Sequence, residues 1–336
     1  MKKRPVQKMM NEALLDRARK QQFPPHNPFW IVSHLRPDGD AIGSTLGLGL
    51  SLQAAGKQVQ LVLQDGVPLN FNHLHGFETI KRKPDGAVDC IIVVDCSDLT
   101  RAGEVLEEYG TPDINIDHHA TNTNFAKINL VDTQAVAVAE MLTEYIPQWG
   151  YPLPVSAGAA LLTGLITDTI GFRTQNVTSK SLRMAADLID LGVDMPTLYE
   201  KALVLRSFES LQFWGAGLSQ IQRNDRMVWT TLTMKDRRSA GYHGRDDADL
   251  INILSAVKDC DIAMIFVEQP EDRVKVSWRA RPGFDISKVA LSFGGGGHPA
   301  ASGAELYGSI EEVQVSVLDA THILLHKQES LVQQQS

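Results

Sequence analysis

The sequence predicts an α/β protein: a parallel-sheet domain with helices on both faces, plus a smaller α/β C-terminal domain joined to it by a helical linker. Two observations carry this. Short, continuously apolar runs alternate with longer helical patterns through the first part of the chain, as expected for parallel strands buried on both faces. After position 223 the pattern changes to a set of β-like runs with fewer helices between them. With 336 residues, the chain is long enough for two cores.

Taken in order, residues 12–22 read as a helix ended by Pro24, Pro25 and Pro28. "FWIVSH" (29–34) is a short buried strand, and "AIGSTLGLGLSLQAAG" (41–56) a helix closed by Gly56. "VQLVL" (59–63), "CIIVVD" (90–95) and "INID" (114–117) are the second, third and fourth strands. Helices are expected at about 134–147, 156–169, 179–191, 195–205 and 207–223. The β-like runs are "MVWTTLTM" (227–234), "IAMIFVEQ" (262–269) and "VKVSWRAR" (274–281), with a helix at 247–257 and a hairpin turn at "EQPED" (268–272). A last helix covers 310–328, before a Gln-rich tail. The domain boundary falls within or just after the 207–223 helix, giving domains 1–206 and 226–336 with a linker at 207–225.

Composition narrows the partners. Hydrophobic content of 43% and charged content of 21% fit a globular protein, and the formal net charge of -8 argues against a long nucleic-acid track. A short phosphorylated ligand is still allowed, because a few local cations or metal ions outweigh the net charge. Cys90, Cys96 and Cys260 form neither a disulfide framework nor a CxxC metal knot, so a reducing, cytoplasmic compartment is expected. "MKKRP" is not followed by an apolar segment, so no signal peptide is expected. The longest uncharged run, 149–167, contains Pro152 and Pro154 and does not read as a membrane span.

Acidic and imidazole groups gather where strands end, and in parallel sheets ligands bind at the carboxyl ends of strands. In "HLRPDGDAIGS" (34–44), His34, Asp38 and Asp40 follow the first strand. Asp95 closes the third strand, and Asp117, His118 and His119 close the fourth. Asp168, in "LLTGLITDTIGF" (161–172), ends an apolar helix, where an unpaired charge is costly. Alone, "PDGD" is most often a turn with a helix cap, Asp95 a cap, "DHH" a chance match, and Asp168 a helix-end cap or a partner of Arg173. Together they would place four carboxylates at one crevice, where they repel unless cations sit between them. Two divalent ions carry the four positive charges that match Asp38, Asp40, Asp95 and Asp168. Carboxylates with neutral imidazoles suit manganese or a similar first-row ion better than a thiolate-bound zinc. Two such ions, about 3.5–4 Å apart, can activate water and hold both oxygens of a phosphoryl displacement.

The motifs "HLRPDGDAIGS", "VVDCSD", "DHH" and "ITDT" stand in the order of those of the DHH phosphoesterase family, which the N-terminal two-thirds of the chain resembles. "GGGGHPAASG" (294–303) resembles the glycine-rich signature of the DHH-associated C-terminal domain. The plan is similar to the bifunctional oligoribonuclease and PAP phosphatase branch, RecJ-like and close to the cyclic-dinucleotide phosphodiesterases. The resemblance implies a DHH catalytic domain at 1–206 and a substrate-binding domain at 226–336. It implies two Mn2+ ions, with Mg2+ or Co2+ as substitutes. His34, Asp38 and Asp95 would hold one ion; Asp40, Asp95, His118 and Asp168 the other, with Asp95 bridging. Asp117 would orient an imidazole, and His119 would face the substrate phosphate. Substrate would bind between the domains: a short RNA, a dinucleotide or pAp. A homodimer is compatible with this reading.

The glycine run is neither a Walker loop, since no Gly-Lys-Ser/Thr follows, nor a dinucleotide fingerprint, since Pro299 occupies the third glycine position. It reads equally as a flexible turn or as a loop whose N–H groups approach a phosphate, with Gly294, Gly295, Gly296, Gly297 and His298 as contacts. Arg279 is the expected cation for the far end of the ligand, in competition with Arg281. The family branch has glycine, then arginine, after the Asp-Thr of the fourth motif. Here "DTIGFR" puts Ile170 and Gly171 there and delays the arginine to Arg173, with Asn176 nearby to share the contact. Cys96 should face away from the metals. His73, His75, His322 and His326 read as surface or packing residues.

The leading function is therefore a two-metal phosphodiesterase releasing nucleoside monophosphates from short oligoribonucleotides, and AMP from pAp. The alternative is a phosphodiesterase for cyclic or linear dinucleotide messengers. Outside the enzymes, a nucleotide sensor would have lost a metal ligand, and every expected position is filled here. A RecJ-type exonuclease needs an extra nucleic-acid module, and a DHH-type pyrophosphatase lacks the glycine–histidine run.

Overall fold

A computed structural model describes residues 28–333, so the helix expected at 12–22 lies outside the described residues. The chain divides into two compact units between Leu205 and Arg206.

The first unit is built on a five-stranded, wholly parallel sheet. Its strands are β1 (Phe29–Val32), β2 (Val59–Val62), β3 (Cys90–Val94), β4 (Ile114–Asp117) and β5 (Ile128–Val131), in the order β2-β1-β3-β4-β5. Side chains alternate across it. Phe29, Ile31, Leu61, Ile92, Val94, Ile116 and Leu130 form one face, packed with α1 (Gly39–Ala54), α2 (Val138–Gln148) and α3 (Val155–Asp168). Trp30, Val32, Val62, Ile91 and Val93 form the other, against Ala102, Val105 and Leu106 of a 3₁₀ segment, Leu99–Leu106. Cys96 belongs to this second cluster, away from Asp95. β5 was not expected: "INLV" is only four residues long, and its two central contacts with β4 alternate buried and half-buried. Helices α4 (Ser179–Asp190) and α5 (Met195–Tyr199), the latter running into a π-helical turn at Glu200–Val204, complete the unit.

One packing feature positions the site. Gly39, Gly43 and Gly47 lie four residues apart on α1, on the face turned to α3. A Cβ at Gly43 would stand 2.4 Å from the Ala160 carbonyl oxygen and 2.9 Å from the Gly164 nitrogen. One at Gly39 would stand 2.2 Å from the Thr167 hydroxyl. Only bare glycine lets the two backbones approach this closely, and that approach brings the first turn of α1 to the last turn of α3.

The second unit holds a mixed six-stranded sheet. Its strands are β6 (Gln222–Asn224), β7 (Met227–Leu232), β8 (Ile262–Gln269), β9 (Arg273–Ala280), β10 (Gly296–His298) and β11 (Ala301–Tyr307). The order is β10-β11-β9-β8-β7-β6; β7 and β8 are parallel and all other pairs antiparallel. The 207–225 stretch forms α6 (Phe208–Leu218) and β6, and α6 is anchored in this unit. Trp214 Nε1 donates to the Ala248 carbonyl at 2.8 Å, and Thr230 Oγ1 to the Gly217 carbonyl at 2.5 Å. Short helices α7 (Met234–Ala240) and α8 (Leu250–Leu254) follow β7. Helices α9 (Ser287–Ser292) and α10 (Ile310–Gln333) pack on the face that carries Val274, Val276 and Trp278. Among the described residues no helix is long and apolar enough to cross a membrane.

Candidate metal centre

At the carboxyl edge of the first sheet, the residues singled out in sequence come together. β1 ends at Val32, and Ser33 Oγ ties the departing chain to the Val94 carbonyl at 2.8 Å. His34 is thereby turned into the edge, buried. Asp38 is the N-cap of α1, accepting from the Asp40 and Ala41 amides at 3.1 and 3.0 Å. Asp95 follows β3 in a left-handed conformation (φ 55°), which swings its side chain off the strand. Three groups result, each with ligand atoms within 4.8 Å of one another: His34, Asp38 and Asp95; Asp40, His118 and Asp168; and Asp95, His118 and His119.

Asp95 links the groups. Its Oδ2 lies 3.4 Å from His34 Nε2 and its Oδ1 3.6 Å from His118 Nε2. His118 Nε2 is also 3.6 Å from Asp168 Oδ2, and His34 Nε2 3.8 Å from Asp38 Oδ1. These separations are longer than ordinary hydrogen bonds, and among the described residues Asp95 Oδ1 is buried without a hydrogen-bond partner. Donor atoms each about 2.1 Å from a shared cation stand roughly 3–4 Å apart, so the spacing fits ions between them.

The imidazoles are oriented for this. His34 Nδ1 lies 2.8 Å from the Leu35 carbonyl and His118 Nδ1 3.3 Å from the Ala135 carbonyl. A carbonyl only accepts, so Nδ1 carries the proton in both rings and Nε2 presents its lone pair to the carboxylates. His119 Nδ1 donates to Asp117 Oδ1 at 2.7 Å. Asp117 is fully buried and its Oδ2 accepts from Asn122 Nδ2 at 2.6 Å. Asn122 also donates to Asn115 Oδ1 at 2.8 Å. Sequence reasoning missed Asn122, because a buried amide five residues beyond "DHH" has no spacing rule that announces it.

Electrostatics ask for positive charge. Burial, and next the charge of Asp95, push the Asp40 carboxyl up to about 7. Burial, and next Asp40, raise Asp168 well above the carboxylate range. Burial opposes charge on His34, yet the nearness of the Asp38 and Asp95 carboxylates pushes it up to about 10. Burial likewise opposes charge on Asp117 from the other side, but bonding to His119 and Asn122 holds it below its ordinary value. Asp40 also accepts the Val138 and Ala139 amides at 2.6 and 2.9 Å, capping α2, whose own N-cap, Ala137, cannot. A cluster in which carboxyls take up protons and imidazoles take up charge fits divalent cations well.

Comparison with known proteins agrees with this geometry. Residues 28–184 match the DHH family, N-terminal domain, and residues 227–321 the DHHA1 domain. The bifunctional oligoribonuclease and PAP phosphatase NrnA of Thermus thermophilus is 32% identical over 296 residues, 87% of this chain and 89% of that protein. The chain belongs to the DHH family. NrnA of Bacillus subtilis is 26% identical over 279 residues, 82% of this chain and 88% of that one. The crystal structure of an exopolyphosphatase-related protein from Bacteroides fragilis superposes with a TM-score of 0.86 at 26% identity, covering 96% of this chain and 98% of that one.

In the DHHA1 domain the glycine run is part of the sheet. Gly296 and His298 sit in β10, paired with Gly303 and Ala301 of β11, so the stretch is an edge strand instead of a loose turn. Gly294 (φ 74°) and Gly297 (φ 136°) take backbone conformations that a side chain would strain, and a Cβ at Gly295 would meet the Gly303 carbonyl at 2.2 Å. Ala301 pairs with both His298 and Arg279, which places those two side chains on one face. Arg279 is half-buried; Nη1 donates to the Trp278 carbonyl at 3.0 Å. Arg281 instead donates to the Val257 carbonyl at 3.1 Å. In the DHH domain, Arg173 and Asn176 are exposed, beyond a turn of positive φ at Ile170, Gly171 and Phe172, and among the described residues no hydrogen bond or ion pair joins them to the acidic groups. His322 and His326 face each other on α10 with Nε2 atoms 2.9 Å apart, and no third ligand-bearing group joins them among the described residues.

Proposed function

We propose that this DHH-family phosphoesterase hydrolyses short linear oligoribonucleotides to nucleoside monophosphates, and pAp to AMP. The observation that carries the reading is Asp95, whose two oxygens face two different imidazoles while one of them lacks any hydrogen-bond partner. The relatives named as oligoribonuclease and PAP phosphatase match the chain across both domains, which supports the substrate class.

His34, Asp38 and Asp95 would hold one Mn2+ ion; Asp40, Asp95, His118 and Asp168 the other. When bound, such ions supply the charge that a phosphoryl displacement needs at neutral pH. Around them the chain's own residues set the geometry. Asn122 fixes Asp117, and Asp117 fixes the Nδ1 side of His119, so that Nε2 is presented to a phosphate oxygen and can stabilise charge or move a proton there. The first unit acts as the catalytic domain. In the second, Arg279, His298 and the run Gly294, Gly295, Gly296 and Gly297 bind nucleotide, and exposed Arg173 in the first unit is a further substrate contact.

Product analysis with Mn2+ tests the proposal. The panel is a short RNA, pAp, linear and cyclic dinucleotides, and pyrophosphate. Release of nucleoside monophosphates from short RNA, and of AMP from pAp, is expected. Preferred turnover of cyclic dinucleotides or pyrophosphate, with short RNA and pAp untouched, would replace it.

A further inference from the structure

The last helix carries a pair of imidazoles that the acidic centre does not use. On α10, His322 and His326 stand four residues apart, so their side chains rise from one face of the helix, one above the other. Their Nε2 atoms are 2.9 Å apart, and the rings are nearly perpendicular, at 83° with centroids 4.2 Å apart. His322 is half-buried and His326 exposed, so solvent ions reach the pair. Both residues belong to the second unit, whereas His34, His118 and the carboxylates around them belong to the first.

Two ring nitrogens this close must share something. Without a cation, one Nε2 carries a proton and donates it to the bare Nε2 of the other ring. A divalent ion can take the place of that proton, with both Nε2 atoms bare and the ring protons on Nδ1. The distance chooses among ions. With metal–nitrogen bonds of about 2.0–2.1 Å, nitrogens 2.9 Å apart subtend about 90° at the ion, whereas a tetrahedral ion would hold them roughly 3.3 Å apart. A right angle suits tetragonal Cu2+ or Ni2+, and nitrogen donors hold those ions more tightly than Mn2+. Asp319 lies on the same stripe, one turn before His322; it is exposed and makes no hydrogen bond or ion pair among the described residues. In this conformation its carboxylate does not join the pair, but an exposed side chain that changes rotamer reaches a cation one turn away.

We infer that His322 and His326 form a second cation site, for a tetragonal late first-row ion of the Cu2+ or Ni2+ kind, with Asp319 as a third donor and water in the remaining positions. The site is independent of the proposed hydrolysis. It closes on the turn that docks α10 on the second sheet. Thr321 and Leu325 of that turn are buried, and Thr321 Oγ1 accepts from Trp278 Nε1 at 3.3 Å. An ion held at both ends of the turn fixes it, so binding stabilises the folded second unit.

Equilibrium dialysis of the full chain against Ni2+, with saturating Mn2+ present, tests the site beside a thermal melt. Ni2+ that exchanges into the acidic centre is the same in every chain and cancels in the difference. His322→Ala and His326→Ala each leave half a chelate and should weaken the extra Ni2+ equivalent by about 100-fold. Asp319→Ala should weaken it less, and His75→Ala, which removes an exposed loop imidazole, should lose nothing. Ni2+ should raise the Tm of the wild-type chain above that of His326→Ala, and further Mn2+ should not separate the two. Equal Ni2+ binding in the wild type and either histidine variant, or a Tm difference that Mn2+ alone reproduces, overturns the site; unchanged binding in Asp319→Ala overturns the third donor. If His322→Ala lowers the metal-free Tm, His326→Gln at the exposed position carries the comparison, and Ni2+ binding equal to wild type there overturns the site as well.

Discussion

Replacing Gly43 by alanine tests whether the close helix contact builds the site. The added Cβ would sit 2.4 Å from the Ala160 carbonyl oxygen, 2.9 Å from the Gly164 nitrogen and 3.1 Å from its Cα. All three are backbone atoms, so no side chain can swing away. Ordinary contact begins near 3.4 Å, so α1 and α3 must part by about 1 Å. Overpacking of this kind costs about 1–3 kcal/mol, and alanine's better helix propensity returns roughly 0.8–1 kcal/mol. A net loss of up to about 2 kcal/mol should lower Tm by up to roughly 8 °C for a unit of this size. The effect on activity should be larger. Asp40 is one turn before Gly43 and Asp168 one turn after Gly164, so parting the helices separates two of the proposed ligands. A misplacement of 1 Å can cost about 100-fold in rate. The assay is Mn2+ titration of pAp hydrolysis beside a thermal melt, with Gly215→Ala as control, since a Cβ there meets nothing within 4 Å. Full activity and an unchanged Tm in Gly43→Ala would refute the claim that this contact sets the site.

Three further outcomes follow from the same structure. Chelation should lower Tm and abolish hydrolysis, with both restored by Mn2+; activity that survives exhaustive chelation counts against two-metal chemistry. Asp117→Asn keeps the shape but weakens the hold on His119 Nδ1, so kcat should fall about 10–100-fold with an altered pH–rate profile; an unchanged profile would mean His119 is held by other groups. Arg237 is buried with Nε and Nη2 lacking partners, over Phe213 at 5.9 Å and bonded to Met234 Sδ at 3.3 Å. Arg237→Met should therefore leave the melting temperature unchanged or raise it, since an apolar side chain of similar length removes a desolvated charge; a drop of more than a few degrees would reveal a partner for the guanidinium.

The acidic edge was legible because most of its residues stand at the ends of short, mainly apolar strands, and such strands fix which end of the sheet they reach. His34, Asp95 and the Asp117–His119 run needed only that rule. What brought Asp168 to them was not legible as such. The four-residue spacing of Gly39, Gly43 and Gly47 stood in plain view, but helical glycines read first as weak propensity, and their use appears only when α3 lies against them. The glycine run was misread in its backbone for a related reason: four glycines carry no side-chain alternation, so nothing in them signals the β10–β11 pairing. The second face of the first sheet was expected to carry helices. The described segment there is 3₁₀, broken at Gly103 (φ 77°), and only Ala102, Val105 and Leu106 of it reach the core, too few to set a helical period.

Four of the non-glycine positions that break local backbone rules lie beside the chemistry. Arg36 (φ 53°) and Asp95 (φ 55°) take left-handed conformations at the ends of β1 and β3, and Ile170 (φ 50°) and Phe172 (φ 64°) do so just past Asp168. For a β-branched residue such as Ile170 this is strained, by about 1–3 kcal/mol. Each departure turns the chain sharply where a ligand-bearing side chain must leave its strand or helix and point inward. The carboxylates add a second cost, since Asp40 and Asp168 resist ionisation where they stand. The apolar packing of α1, α2 and α3 on the sheet offsets the first cost, but the charges of His118 and His119 lower Asp40 and Asp168 too little to offset the second. The remaining compensation has to come from bound cations, which is why the first unit's stability and its chemistry should titrate together with the metal.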